Sequence, residues 1–138
     1  MHRVAPLDPP LLIVAEHVVA LDRATGKERW SCEIVGTARR FLIDDQRLLV
    51  FDSHGILTCI EIATGRVIGK VETGFALARS MLVDGDRIYV SSDREVVAMD
   101  FSGNILWRSD RVHVSNASSL CGLGIPGGNV VQPDFSQS

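Results

Sequence analysis

Apolar positions along the chain come in short runs, not in a sustained helical rhythm. Leu48-Leu-Val-Phe51, Ile56-Leu-Thr-Cys-Ile-Glu-Ile62 and Val67-Ile-Gly-Lys-Val71 are rich in branched and aromatic side chains and are bounded by turn residues. Such runs predict β-strands, because branched side chains pack well on a pleated surface. Between the runs stand Ser53-His-Gly55, Asp84-Gly-Asp86 and Ser102-Gly-Asn104. Each reads as a hairpin turn in which glycine supplies the positive φ that a tight reversal needs. No stretch holds the i, i+3, i+4, i+7 spacing of an amphipathic helix. The longest apolar runs, Leu11–Ala15 and Val18–Leu21, are too short for a transmembrane helix of roughly 20 residues.

The strand pattern repeats. Val19-Ala-Leu-Asp-Arg-Ala-Thr-Gly-Lys-Glu-Arg-Trp30 aligns with Thr58-Cys-Ile-Glu-Ile-Ala-Thr-Gly-Arg-Val-Ile-Gly69 and with Val97-Ala-Met-Asp-Phe-Ser-Gly-Asn-Ile-Leu-Trp107. The anchoring glycines, Gly26, Gly65 and Gly103, stand 39 and 38 residues apart. A period near 40 built from short strands is the signature of propeller blades. The second repeat (37–74) divides into strands at Ala38–Ile43, Arg47–Asp52, Ile56–Ile62 and Arg66–Glu72. The third (75–112) divides at Ala78–Val83, Arg87–Ser91, Glu95–Asp100 and Ile105–Ser109. The first (11–36) has only Leu11–Ala15, His17–Asp22 and Lys27–Ile34. The place of its opening strand falls in a Pro-rich lead-in (1–10) where Pro9 and Pro10 disfavour a paired strand. After the third repeat, the segment 113–138 holds a blade-completing strand at Ser118–Gly124, a turn at Pro126-Gly-Gly128 and a polar tail with a single Phe135.

Within the repeats, Ala20, Asp22, Thr25, Gly26 and Trp30 resemble the tryptophan-docking repeat of the quinoprotein (PQQ-like) β-propellers. That family includes the quinoprotein alcohol dehydrogenases and an outer-membrane assembly lipoprotein. The third repeat keeps Ala98, Asp100, Gly103 and Trp107, whereas the second keeps Thr64 and Gly65 but has Cys59 for the Ala, Glu61 for the Asp and Gly69 in the tryptophan position. Bottom-up, the carboxylate and the threonine hold the backbone N–H groups of a tight turn. A tryptophan has a large flat surface to bury and an indole N–H that needs an acceptor. The resemblance implies that each ring docks on the neighbouring blade, so Trp30 and Trp107 are both expected to be buried. It also implies, for the enzymes of the family, a central quinone, a calcium ion, a catalytic aspartate and a vicinal disulfide. None of these is matched by residues of this sequence, and the expectation is no cofactor, no metal and no catalysis.

Composition narrows the partners. The 138 residues are 46% hydrophobic and 22% charged, with 14 basic against 17 acidic side chains. That balance fits a folded domain and carries no basic cluster of the kind nucleic acid requires. Cys32, Cys59 and Cys121 are too widely spaced for a zinc or redox motif, and the first two sit in strands where burial is expected. Cys121, beside Gly122, is expected to be more exposed. His2, His17, His54 and His113 lack metal-ligand spacing, and His54 reads as a solvated turn residue. Asp44-Asp45 and Asp84-Gly-Asp86 have too few carboxylates for a calcium loop. Gly122–Gly128 fits no phosphate-binding pattern. The N-terminal prolines interrupt any candidate signal sequence, so a cytoplasmic protein is expected.

These observations predict an all-β partial propeller of four-stranded antiparallel blades, completed by oligomerisation. The expected role is a scaffold that binds protein, either a second copy of itself or another propeller-containing chain. The alternative is a part of a larger quinoprotein-like enzyme or sensor.

Overall fold

The computed structural model describes residues 8–114, 121–128 and 130–131. Among them all regular structure is β, in four antiparallel sheets that follow the chain in order. The first blade holds β1 (Leu11–Val14), β2 (His17–Leu21) and β3 (Glu28–Glu33). The second holds β4 (Ala38–Asp44), β5 (Arg47–Asp52), β6 (Ile56–Glu61) and β7 (Val67–Glu72). The third holds β8 (Ser80–Asp84), β9 (Arg87–Ser91), β10 (Val96–Asp100) and β11 (Ile105–Ser109). A two-stranded ribbon of β12 (Leu123–Gly124) and β13 (Val130–Val131) lies beside β8 and opens a further sheet. Residues 118–120 of the expected opening strand lie outside the described residues.

Each sheet is a meander because the connections are tight turns, which join antiparallel neighbours and nothing else. A register shift recurs at one place in all three blades, between Ala20 and Leu21, Cys59 and Ile60, and Ala98 and Met99. The extra residue sits opposite on the fourth-strand side and bends the sheet just before the turn that carries the Asp or Glu.

The core lies between blades, not within one. Val18, Leu48, Val50, Ile60 and Ile62 are buried where the first blade meets the second, with Leu12, Val14 and Trp30 packed against them. Leu49, Phe51, Leu57 and Cys59 of the second blade meet Met81, Val83, Ile88, Val90, Val97 and Met99 of the third. Alternate side chains of a strand point to opposite faces, so β5 feeds both clusters: Leu48 and Val50 one way, Leu49 and Phe51 the other.

Two faces find no counterpart among the described residues. On β4, Phe41 and Ile43 are 54% and 51% exposed. Ile43 lines a cleft with Asp8, Pro9, Pro10 and Leu12 of the first blade's approach, while Leu42 on the opposite face joins the core. On the far side of the third blade, Trp107 is 42% exposed.

Candidate interaction site: the seams between blades

The turn between the last two strands of each blade is built by its acidic residue. In the first blade, Asp22 Oδ1 accepts the N–H of Ala24 at 2.9 Å and of Thr25 at 3.1 Å, and Thr25 Oγ1 accepts from Lys27 N–H at 3.2 Å. Arg29 closes the arrangement with an ion pair to Asp22 Oδ2 at 3.1 Å. This guanidinium first, and the Ala24 N–H second, hold the Asp22 carboxyl below its ordinary range. In the second blade the turn N–H groups of Thr64 and Gly65 donate to the Glu61 backbone carbonyl, and the Glu61 carboxylate is left for the threonine. It takes the hydroxyl of Thr64 at 2.6 Å, and Arg66 N–H donates to Thr64 Oγ1 at 3.2 Å. In the third blade Asp100 Oδ1 accepts from Ser102 and Asn104 N–H, each at 3.0 Å, and Asn104 Nδ2 donates to Oδ2 at 3.1 Å. The Asn104 backbone and then its side chain lower the Asp100 pKa.

The first seam uses the tryptophan. Trp30, on β3, donates Nε1–H to the Ile62 carbonyl of the second blade at 2.8 Å. Its ring lies flat on the turn at Gly65, where an added Cβ would fall 2.5 Å from Trp30 Cδ2. Gly65 has φ +78, a left-handed conformation that glycine adopts at little cost. Ala20, directly across from Trp30 in the ladder, is fully buried.

The second seam is made differently. Gly69 lies in the corresponding place on β7, and the third blade's turn comes down onto it. A Cβ on Gly69 would strike the Phe101 carbonyl oxygen and sit 2.8 Å from the Ser102 carbonyl carbon. Gly103 of that turn, at φ +101, packs its backbone against Lys70, where a Cβ would be 2.7 Å from the Lys70 carbonyl oxygen. Arg47 on β5 stacks its guanidinium 3.6 Å above the Phe101 ring centroid while pairing with Asp44 at 3.0 Å. Sequence reasoning missed this arrangement. Its signal was the coincidence of Gly69 for Trp with Phe101 directly after Asp100.

A third seam face is open. Trp107, opposite Ala98 in the ladder, stands over an apolar cleft of about 360 Å³ lined by Leu82, Tyr89, Val96, Leu123 and Ile125. Its ring centroid is 5.9 Å from that of Tyr89. The expectation that Trp107 is buried is therefore corrected. Trp107 holds the ladder position that Trp30 holds in the first blade, and Leu123–Ile125 line the cleft with it.

Other expected sites are dispersed. Asp52, which sequence reasoning did not single out, is 1% exposed and accepts N–H groups from Gly36 at 3.2 Å, His54 at 2.8 Å and Ile56 at 3.2 Å. It fastens the linker between the first two blades to the turn after β5. The signal was an Asp two residues before His54 and three before Gly55, an Asx-turn spacing. Cys121 is buried, not exposed, with Sγ 3.4 Å from Ser91 Oγ. Cys59 is buried, and burial pushes its thiol up to about 11; Cys32 is half-buried, and the same cause raises it. Among the described residues no three His, Cys, Asp or Glu side chains converge as metal ligands. The opening strands β4 and β8 carry carboxylates only at their ends, Asp44 and Asp84, and Asp44 is held by Arg47. That donor set does not fit a quinone and calcium site. No helix of the described chain is long and apolar enough to cross a membrane.

Repeated four-stranded meanders, stacked face to face through apolar layers, define a β-propeller domain of the PQQ-like type. The chain belongs to the family described as outer membrane protein assembly factor BamB, which it matches over residues 14–132. No curated protein matches it in sequence. Among solved structures it resembles a europium-containing methanol dehydrogenase (TM-score 0.60, 18% identity, 74% of this chain and 23% of that one). It also resembles the computationally designed Ika8 protein (TM-score 0.66, 15% identity, 86% and 37%). A third is BamB from Moraxella catarrhalis (TM-score 0.53, 21% identity, 78% and 34%). The chain thus spans between about a quarter and somewhat over a third of these structures, and the likeness is one of fold.

Proposed function

We propose that the chain is a non-catalytic β-propeller scaffold that binds protein and closes its ring by self-association, two copies giving about six or seven blades. The observation that carries this reading is the mismatch of its two faces. Among the described residues the first blade has a free edge at β1, with Phe41 and Ile43 exposed where its opening strand would lie, while β12 and β13 supply the opening strands of a further blade. Unpaired strand edges beside apolar surface favour pairing with another chain. For an exchanged strand to complete a partner's first blade, Leu123–Gly124 would leave Val130–Val131 and pair with the partner's β1. The cytoplasm is the compartment that goes with this reading, and the three free thiols are compatible with it.

The test is the solution mass by light scattering over a range of concentrations. A dimer mass that is lost when residues 113–138 are deleted supports closure by exchanged strands. A monomer at every concentration refutes self-association.

The second reading is a subunit or fragment of a larger quinoprotein-like propeller enzyme or sensor whose cofactor site needs the missing blades. It is favoured by the small share of each solved structure that the chain covers. Calcium-dependent redox activity on adding pyrroloquinoline quinone would establish it, and indifference to that cofactor supports the scaffold.

A further inference from the structure

The two open faces carry complementary halves of a contact that the chain already makes once internally. Trp30 lies on the Glu61–Gly65 turn and donates Nε1–H to the Ile62 carbonyl at 2.8 Å. The Asp22–Gly26 turn of the first blade has the same form. Gly26 N–H donates to the Asp22 carbonyl at 2.8 Å, as Gly65 N–H does to Glu61, and φ is +73 against +78. Aligned on these residues, Arg23 stands where Ile62 stands. Yet among the described residues nothing lies within 4 Å of a Cβ built on Gly26, where Gly65 has an indole ring on it. At the other end Trp107 has the exposed ring, and its Nε1 finds no acceptor among the described residues.

We propose that Trp107 of one copy docks on the Asp22–Gly26 turn of a second copy, with its Nε1–H donated to the Arg23 carbonyl. The proposal rests on the self-association reading and names the contact that would hold it together. The occupant is a second copy because ring and receiving turn occur on one chain and reproduce the Trp30 geometry. The contact is head-to-tail. Three blade steps separate the ring from the turn, so two copies close it twice and make a ring of about six blades. Half-exposed indoles with an unused N–H are suited to this use, since tryptophan is enriched among residues that dominate interfaces.

The experiment uses full-length chains carrying Trp107→Ala, Gly26→Asn, or both, with dimer dissociation followed by sedimentation over a dilution series. Asparagine tolerates positive φ, and the open space at Gly26 accepts its side chain in the free chain, so folding should persist with an unchanged far-UV spectrum. Each single variant should weaken association by about tenfold or more, and the double variant should lose little beyond either single one. An equimolar mixture of the two single variants should associate more tightly than either alone, because one intact ring faces one intact turn. If the unmodified chain dimerises and the variants dimerise equally well, the Trp107 contact is overturned and self-association stands. If the unmodified chain stays monomeric throughout, both fall.

Discussion

The seams on either side of the second blade solve one packing problem in two ways. At the first, a tryptophan fills the space between sheets and ties its N–H to Ile62. At the second, the tryptophan position is Gly69, and the neighbouring turn descends until its backbone touches the strand. The polar and aromatic work moves to a different pair, Arg47 over Phe101. The lesson concerns degenerate repeats. Loss of the docking residue is not damage when the facing turn has moved in to occupy its volume. A glycine there is as demanding as the ring it replaces.

The comparison can be broken from either side. The largest effect is expected for Trp30→Ala, which removes a packed ring and orphans the Ile62 acceptor. It should cost about 3 kcal/mol, the low end for a tryptophan truncation because the ring is half-buried. Urea unfolding would measure it, and a loss below about 1 kcal/mol would show that the first seam does not depend on the ring. Gly69→Ala should cost about 2 kcal/mol, since the methyl meets Phe101 and Ser102 backbone that cannot rotate away. The same substitution at Gly26 meets open space and feels only the left-handed strain.

Phe101→Leu keeps the apolar volume but removes the face beneath Arg47, and about 0.5–1 kcal/mol is expected. A loss that vanishes in an Arg47→Leu background would assign it to the stacked pair by a double-mutant cycle. Acid is a gentler probe. Asp22 and Asp100 have lowered pKa values in the folded chain, so their contribution is complete above the ordinary 3.8 and fades as pH falls below it. Asp22→Asn and Asp100→Asn should therefore flatten the stability profile between pH 4 and lower values, and leave its shape unchanged near neutrality. The smallest effect is on chemistry, not stability. With its thiol at about 11, Cys59 should alkylate far more slowly than a free cysteine at pH 8 in the folded chain, and normally in urea.

Strand order and turn positions were legible because both rest on local rules. Alternation marks strands, glycine marks reversals, and every observed strand of the three blades lies within two residues of its expected bounds. The turn chemistry of Asp22 and Asp100 was legible for the same reason, since a short carboxylate caps N–H groups of its own loop. Contacts across blades were not. Whether a tryptophan is covered depends on what the next sheet presents, so Trp30 and Trp107 read alike and end in different surroundings. Asp52 looked like the last polar residue of a strand. Its burial follows from a linker 16 residues earlier in the chain folding back over it.

Among the described residues, the run Leu48–Phe51 in β5 is the one place where four consecutive side chains lose all contact with water, two toward each seam. Strands β4 and β6 flank its backbone on both sides, whereas β1 has no neighbour on its outer side among the described residues. Deuterium should therefore enter the amides of β1 first and those of β5 last. Under load or heat the chain would come apart from its flanks inward, with the second blade as the final remnant to melt.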